Sequence, residues 1–171
     1  MLVLIFAETT WQSFIGGLGL VLLGEGVRFW GVAYAGAGTR TTKRASGNRL
    51  VTNGPFGYVR NPLYVGNFLL SYGLVIMSWA WMPWTAIVFF FLFGFQYGLI
   101  VHYEEEYLSQ RFGLNYEEYQ RNVRRWIPRL KHYTSPDPKI PNYIKALRSE
   151  RNTFQFIITF CVLLMVRWHL L

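Results

Sequence analysis

The chain has 171 residues, of which 52% are hydrophobic, 19% aromatic and 15% charged. Because soluble domains carry about 25% charged residues, this composition argues against a soluble protein and favours a single membrane domain over residues 1–171. The formal net charge is +8, but the basic residues stand in two blocks between apolar runs, which is the pattern of cytoplasmic loops. We therefore expect membrane lipids, and no nucleic acid, among the partners. The single cysteine, Cys161, excludes an intrachain disulfide.

The N-terminal stretch MLVLIFAETT is apolar but too short to span a bilayer, and it predicts an interfacial or partly inserted helix. It lacks the basic start of a signal peptide, so we expect no cleaved targeting segment. The first full span is predicted at Trp11–Tyr34. Within this span Glu25 and Arg28 are three residues apart, a spacing that lets them pair on one helix face. Such a pair should face protein or water rather than lipid.

Glycines recur every seven residues along this first span. Gly17, Gly24 and Gly31 lie in the helix, and Gly38 continues the interval just beyond it. Seven residues are two helical turns, so these glycines form a smooth stripe on one face. Small residues of this kind let two membrane helices approach closely, and the stripe therefore predicts a helix–helix contact.

The segment from Gly36 to Asn61 is polar and basic, with five basic residues and no acid, and it predicts a loop on the positive side of the membrane. The next apolar run, 63–101, is about twice the roughly 20 residues that one span needs. Pro83 and three tryptophans interrupt it in the stretch WAWMPW. We expect a helical hairpin here, composed of Leu63–Trp79 and Thr85–His102, with its turn at the far interface, where tryptophan is enriched.

The second polar region, 103–133, is predicted to be a cytosolic cofactor-site segment. The third helix should continue out of the bilayer and end at Gly113, and Asn115 with Glu118 resembles a capping box that opens a short helix. The stretch SPDPKIP has three prolines in seven residues and predicts a linker. An interfacial helix and the last span should follow over 142–171.

The predicted fold is an all-α, polytopic membrane helical bundle with about four transmembrane helices plus short cytosolic and interfacial helices. Both polar regions then lie on one side, predicted to be the cytoplasm. The hairpin brings its two ends together there, so the start of the second span lies beside Glu104, Glu105 and Glu106. Asn61 is a good helix N-cap and Pro62 a good first helical residue, so this segment can be a simple helix start. Three carboxylates near a helix C-terminus oppose the helix dipole, which favours a bound cation or solvated side chains.

Two stretches around the hairpin resemble a known family. GPFGYVRNPLYVG is similar to the Gly-Pro-x-x-Tyr-x-Arg-His-Pro-x-Tyr-x-Gly stretch of isoprenylcysteine carboxyl methyltransferases and the related phospholipid methyltransferases. EEEYLSQRFGLNYEEYQRNVRRWIP resembles their second block, a Glu-Glu pair followed by Phe-Gly, two tyrosines and a closing proline. The two stretches cover 53–128, and the family implies nothing recognisable after Pro128.

The resemblance implies an integral-membrane enzyme that binds S-adenosyl-L-methionine at the cytosolic face and methylates a lipophilic substrate. Its implied acceptors are an isoprenylcysteine-type or other carboxylate, a phospholipid amine, or a thiol that enters from the bilayer. Arg60 and Glu105 are the expected catalytic residues. The expected cofactor-binding residues are Tyr58, Arg60, Asn61, Pro62, Tyr64, Gly66, His102, Glu104 and Glu105.

One position departs from the family pattern, because Asn61 stands where the family usually has histidine. Asparagine donates and accepts hydrogen bonds but is neither an acid nor a base at neutral pH. We therefore expect Asn61 to bind cofactor rather than to move a proton. The three histidines lack the spacing of a helix-borne metal site, and no metal is expected. Only His102 is placed to act as a base.

Two other functions fit parts of the sequence. Membrane sterol-type reductases share a similar core with Arg-His-Pro-Asn-Tyr followed by Gly-Glu and bind NADPH there, but this chain has Leu63 and Asn67 at the corresponding positions. A non-catalytic membrane scaffold would use the motif only as a helix start. Cofactor binding distinguishes these alternatives from a methyltransferase.

Overall fold

The computed structural model describes residues 2–36 and 49–170. Gly38 and three residues of the first basic block, Arg40, Lys43 and Arg44, lie outside the described residues. The described part is helical, with a short 3-10 helix, Gly54–Gly57, between the second and third α-helices. The α-helices are α1 (Leu2–Ile5), α2 (Trp11–Ala35), α3 (Pro62–Ser78), α4 (Trp84–Phe112), α5 (Leu114–Asn122) and α6 (Tyr143–Leu170).

The helices make this an integral membrane protein, and the all-α prediction is confirmed. Three of them, α2, α4 and α6, are long and apolar enough to cross a membrane. The fourth expected span, α3, is equally apolar but has only 17 residues. The N-terminal segment forms only the four-residue helix α1. The expected hairpin is present, with its turn at residues 79–83 between α3 and α4.

Helices α2 and α3 form the closest pair in the bundle, and the glycine stripe of α2 lies in their contact. A Cβ atom added to Gly24 would lie 2.7 Å from the carbonyl oxygen of Gly66, and one added to Gly73 would lie 2.7 Å from that of Gly17. No side chain fits at such a distance, so glycines on both helices are what lets the backbones touch. The predicted role of the stripe in helix packing is confirmed.

The second helix of the hairpin, α4, runs ten residues beyond the expected membrane boundary at His102. It ends where Gly113 takes a φ of +51°, in the left-handed region that suits glycine. Helix α5 follows directly, but the predicted capping box is wrong. Gly113 is the N-cap residue of α5 and no side chain caps the helix, since the helix begins two residues earlier than the Asn115 pattern indicates.

A charged cluster joins α2, α3 and α6 inside the bundle. The predicted pair is present, with Arg28 Nε 3.2 Å from Glu25 Oε2. The same guanidinium lies 2.8 Å from Glu150 Oε2 of α6 and donates to Asn67 of α3. Glu25 and Glu150 are both buried. Because charged side chains are costly in a membrane unless they pair, this cluster fixes how α6 docks on α2 and α3.

Candidate active site

The site begins where α3 begins, at Asn61 and Pro62. Asn61 occupies the N-cap position and Pro62 the first helical position, as predicted, but the Asn61 side chain makes no capping hydrogen bond. Its Nδ2 instead donates to Glu105 Oε1 at 3.2 Å and to the Arg125 carbonyl at 3.4 Å. The helix start therefore turns a polar side chain away from its own backbone and toward α4.

Glu105 is the centre of a buried ionic cluster. Its carboxylate is 4% exposed and lies 3.3 Å from Arg60 Nε. Arg125 donates to Oε2 twice, from Nη2 at 2.6 Å and from Nε at 3.1 Å. Such charge-assisted, two-pronged contacts are among the strongest hydrogen bonds in proteins. Two guanidinium groups share one carboxylate, so this cluster of Arg60, Asn61, Glu105 and Arg125, the arginine cluster below, has a surplus of one positive charge.

Backbone hydrogen bonds hold the two motif stretches against each other. The Arg60 N–H donates to the Arg124 carbonyl at 2.9 Å, and the Arg129 N–H donates to the Tyr58 carbonyl at 2.9 Å. A third bond joins the Tyr133 N–H to the Gly57 carbonyl at 3.0 Å. The segment after α5 therefore lies alongside residues 57–60, which carries Arg125 to the start of α3.

Glu104 faces a different environment from its neighbour Glu105. The Tyr64 hydroxyl donates to Glu104 Oε2 at 2.8 Å, and the Tyr64 ring lies 5.2 Å from that of Tyr97. Glu104 is half-buried and is one of the residues lining a cleft beside the arginine cluster. One helix thus supplies a buried carboxylate that binds arginines and an accessible one that faces the cleft.

The cleft combines cationic, acidic and aromatic walls and encloses about 90 Å³. This is smaller than the roughly 300–1,000 Å³ of sites that enclose a whole ligand, so the cleft has room for only one part of a ligand of that size. Its polar and aromatic lining residues are Arg49, Arg60, Asn61, Glu104, Lys139, Phe56, Phe112, Tyr116 and Tyr119.

Two lining residues have shifted acidities because they are partly removed from water. Burial raises the pKa of the Tyr116 phenol well above its usual range, and the nearby Glu105 carboxylate raises it further. Burial lowers the pKa of Lys139, whose Nζ donates to the Ala35 carbonyl at 3.1 Å. Tyr116 therefore stays a neutral phenol at any physiological pH.

Not every predicted site residue lies at the cleft. The Tyr58 ring packs between Trp30 and His132, at ring distances of 5.9 and 5.1 Å. Gly66 is part of the close contact between α2 and α3. His102 is exposed on α4 with its ring 5.8 Å from Tyr103.

The residue that sequence reasoning missed is Arg125. Three arginines follow one another closely at 121, 124 and 125, and nothing in their spacing indicates which one turns inward. In the structure, the extended segment after α5 turns Arg125 inward, toward Glu105. Among the described residues, no group of three or more histidines, cysteines, aspartates or glutamates is placed to hold a metal ion.

The chain is similar to one family model and to several known proteins. The model of the phospholipid methyltransferase family matches residues 12–115, more than half of the chain. The chain is 34% identical over 115 residues to protein-S-isoprenylcysteine O-methyltransferase B of Arabidopsis thaliana, which covers 66% of this chain and 57% of that protein. It is 31% identical over 114 residues to the protein-S-isoprenylcysteine O-methyltransferase of Schizosaccharomyces pombe, covering 65% and 48% of the two chains.

A third relative has a different description. The chain is 32% identical over 130 residues to the cobalt-zinc-cadmium resistance protein CzcN of Cupriavidus metallidurans, covering 74% of this chain and 55% of that protein. The chain thus spans about half the length of these curated relatives. No solved structure matches it.

Proposed function

This chain belongs to the phospholipid methyltransferase family, and from that premise we propose that it transfers a methyl group from S-adenosyl-L-methionine to a lipophilic acceptor at the membrane surface. The observation that carries the proposal is the meeting of Arg60, Asn61, Glu105 and Arg125 beside a cleft lined by Glu104. We place this site on the cytoplasmic side, because basic loops favour that side.

The charges around the cleft fit the two ends of the cofactor's amino-acid part. The arginine cluster has one positive charge more than Glu105 neutralises, so Arg60 and Arg125 suit a carboxylate. Glu104, held by the Tyr64 hydroxyl, suits an ammonium group.

The protein's contribution to the reaction is binding and positioning. When bound, the cofactor supplies an electrophilic methyl group on a sulfonium. Glu105 touches both guanidinium groups and holds them in place, which makes it a positioning residue here rather than a direct ligand. Groups that are held in place before the reaction lower the entropic part of its barrier, because the two reactants are already oriented. Asn61, with no ionisable proton, orients Glu105 and takes no part in proton transfer.

The acceptor is proposed to be a lipophilic carboxylate, phospholipid amine or thiol. A carboxylate or thiolate is already ionised, so its methylation needs no base. An amine would have to reach the site as the neutral base or lose its proton to water, because Glu104 is assigned to the cofactor's ammonium group.

The test is calorimetric titration of the purified protein with S-adenosylhomocysteine, which keeps the carboxylate, ammonium and adenine groups, with NADPH titrated in parallel. We expect saturable binding of S-adenosylhomocysteine only. Glu104→Gln should weaken that binding by about 10- to 100-fold, since a charged hydrogen bond contributes about 1.5–3 kcal/mol. The matched control is Glu106→Gln, because Glu106 is an exposed neighbour on the same helix and its change should leave the affinity within about twofold.

Three outcomes would contradict the proposal. Equal affinities in Glu104→Gln and the unchanged protein would remove Glu104 from the site. Binding of NADPH alone would indicate a reductase. Binding of neither compound by a folded sample would indicate a non-catalytic scaffold.

A further inference from the structure

A second cavity lies at the end of the bundle opposite the arginine cluster. It encloses about 180 Å³ and is lined by Ala7, Glu8, Thr9, Arg167 and Trp168. The first three residues link α1 to α2, and the last two belong to the end of α6. One ordered water needs only about 10–15 Å³ on such a measure, so the cavity has room for a chemical group much larger than water. We call it the far-side cavity.

The walls of the far-side cavity are fixed by contacts between several helix ends. The Glu8 N–H donates to the carbonyl of Ser78, the last residue of α3, at 2.9 Å. Arg167 Nε donates to the Ala7 carbonyl at 3.3 Å. The rings of Trp11 and Trp168 lie 5.6 Å apart. The opening is therefore formed by backbone and side chains from both ends of the sequence.

The polar groups of the far-side cavity are one cation, one anion and one hydroxyl. Within the described part of the chain, the Arg167 guanidinium makes a single hydrogen bond, that from Nε, and a guanidinium has five N–H donors. The Glu8 side chain is exposed. The Thr9 hydroxyl is buried and makes no hydrogen bond to the described residues.

The far-side cavity lies at the end of the bundle that carries exposed tryptophans. Trp79, Trp81 and Trp84 are exposed at the same end of the bundle, by 40%, 57% and 71%. Exposed tryptophans in a membrane protein concentrate at the membrane–water interface. This pattern indicates that the cavity faces lipid headgroups, and phospholipids are the most abundant molecules at that interface.

We propose that the far-side cavity binds the headgroup of a zwitterionic phospholipid. Arg167 and the Thr9 hydroxyl bind the phosphate, because a guanidinium fork matches phosphate oxygens. Glu8 binds the ammonium group, and the Trp168 ring contributes a cation–π contact. A headgroup with phosphate alone would leave Glu8 close to a second anion, so the site selects against anionic lipids.

The test is native mass spectrometry of the full-length protein in detergent, titrated with phosphatidylethanolamine or phosphatidylglycerol. The unchanged protein should retain one phosphatidylethanolamine in preference to phosphatidylglycerol. Arg167→Gln should reduce retention of phosphatidylethanolamine at least tenfold. Glu8→Gln should reverse or abolish the preference, because it removes the charge that repels the anionic lipid. The side chain of Glu8 is exposed, so this variant is expected to fold normally, which its melting curve checks.

Two controls separate this site from other lipid contacts. Arg151→Gln alters an exposed arginine near the other end of α6 and should change nothing. Glu104→Gln alters the cleft of the proposed methyltransferase and should leave the lipid that Arg167 retains unchanged. Lipid lost in Glu104→Gln but kept in Arg167→Gln would be an acceptor bound at the cleft and would overturn the far-side assignment, so the two proposals can fail independently. Equal retention in Arg167→Gln, or an unchanged preference in Glu8→Gln, would overturn the inference. Displacement of the lipid by an equal concentration of free phosphoethanolamine would overturn its assignment to a lipid.

Discussion

Two adjacent glutamates on α4 have opposite surroundings. Glu105 is buried against Arg60 and Arg125, whereas Glu104 is half-buried and faces the cleft. Neighbouring residues on a helix point about 100° apart, so Glu105 points into the ionic cluster while Glu104, one residue earlier, points toward the cleft. The sequence predicted that both would lie beside Arg60, but it could not distinguish them, because three glutamates in a row carry no internal pattern.

Replacing Glu105 should cost stability, while replacing its exposed neighbour should not. Glu105→Gln keeps the shape of the side chain but leaves the charges of Arg60 and Arg125 without their carboxylate. We expect a loss of about 2–3 kcal/mol in the free energy of unfolding, against a change within about 0.5 kcal/mol for Glu106→Gln. Both free energies of unfolding can be measured by titrating the variants with a denaturing detergent and monitoring helix content by circular dichroism. Equal stabilities would mean that Glu105 does not anchor the arginines.

The Asn61 side chain shows where sequence reasoning reached its limit at this scale. An asparagine before a proline and an apolar run indicates a helix start, and α3 does begin there. The same side chain bonds to Glu105, 44 positions away. The helix-start pattern predicts the local backbone conformation. It cannot predict the contact with Glu105, which forms only when the chain folds.

Elements of this protein follow their sequence signals closely. The turn at Pro83, the stop at Gly113 and the proline-rich linker all lie where predicted, because proline and glycine act on their own backbone. The sequence also predicted that α2 would pack closely against another helix, since a glycine stripe indicates such a contact. The partner helix is α3, because its own glycines, Gly66 and Gly73, allow the close approach.

The α2–α3 contact gives a prediction at the level of whole helices. Gly24→Ala should destabilise the protein by about 1–3 kcal/mol, because the new methyl group would meet the α3 backbone at 2.7 Å from the Gly66 carbonyl. Gly26→Ala is the matched control on the same helix, where an added Cβ meets nothing within 4 Å. That change should be neutral or stabilising, since alanine favours helix more than glycine does. Thermal unfolding in detergent measures both, and a harmless Gly24→Ala would contradict the close contact.

At the scale of the whole molecule, the bundle is held by polar contacts between distant parts of the chain. Arg28 joins α2 to α6 through Glu150, which is 122 positions away. The sequence predicted the local half of this cluster, Glu25 with Arg28, because helical spacing sets it. The contact between Arg28 and Glu150 depends on how α6 packs against α2, and no periodic sequence pattern predicts that packing.

The cluster predicts unequal costs for removing its members. Arg28→Met removes the guanidinium that Glu25, Asn67 and Glu150 share and should destabilise the protein by about 3–5 kcal/mol. Glu150→Met leaves Arg28 still 3.2 Å from Glu25, so the guanidinium keeps a buried carboxylate partner and the cost should be clearly smaller. Melting temperatures of the two variants in the same detergent make the comparison. A larger drop in melting temperature for Glu150→Met than for Arg28→Met would contradict the sharing of the Arg28 guanidinium by Glu25 and Glu150.

The shortness of α3 has a consequence for the route of an acceptor. With 17 residues, α3 is about 25 Å long, whereas the hydrocarbon layer of a typical bilayer is about 30 Å thick. A helix shorter than its bilayer is matched by local thinning, which brings the acyl chains and the aqueous boundary together at its ends. We therefore expect the Arg60 end of α3 to lie at a thinned rim, where the proposed lipophilic acceptor would present its polar tip while its tail remains among the lipids.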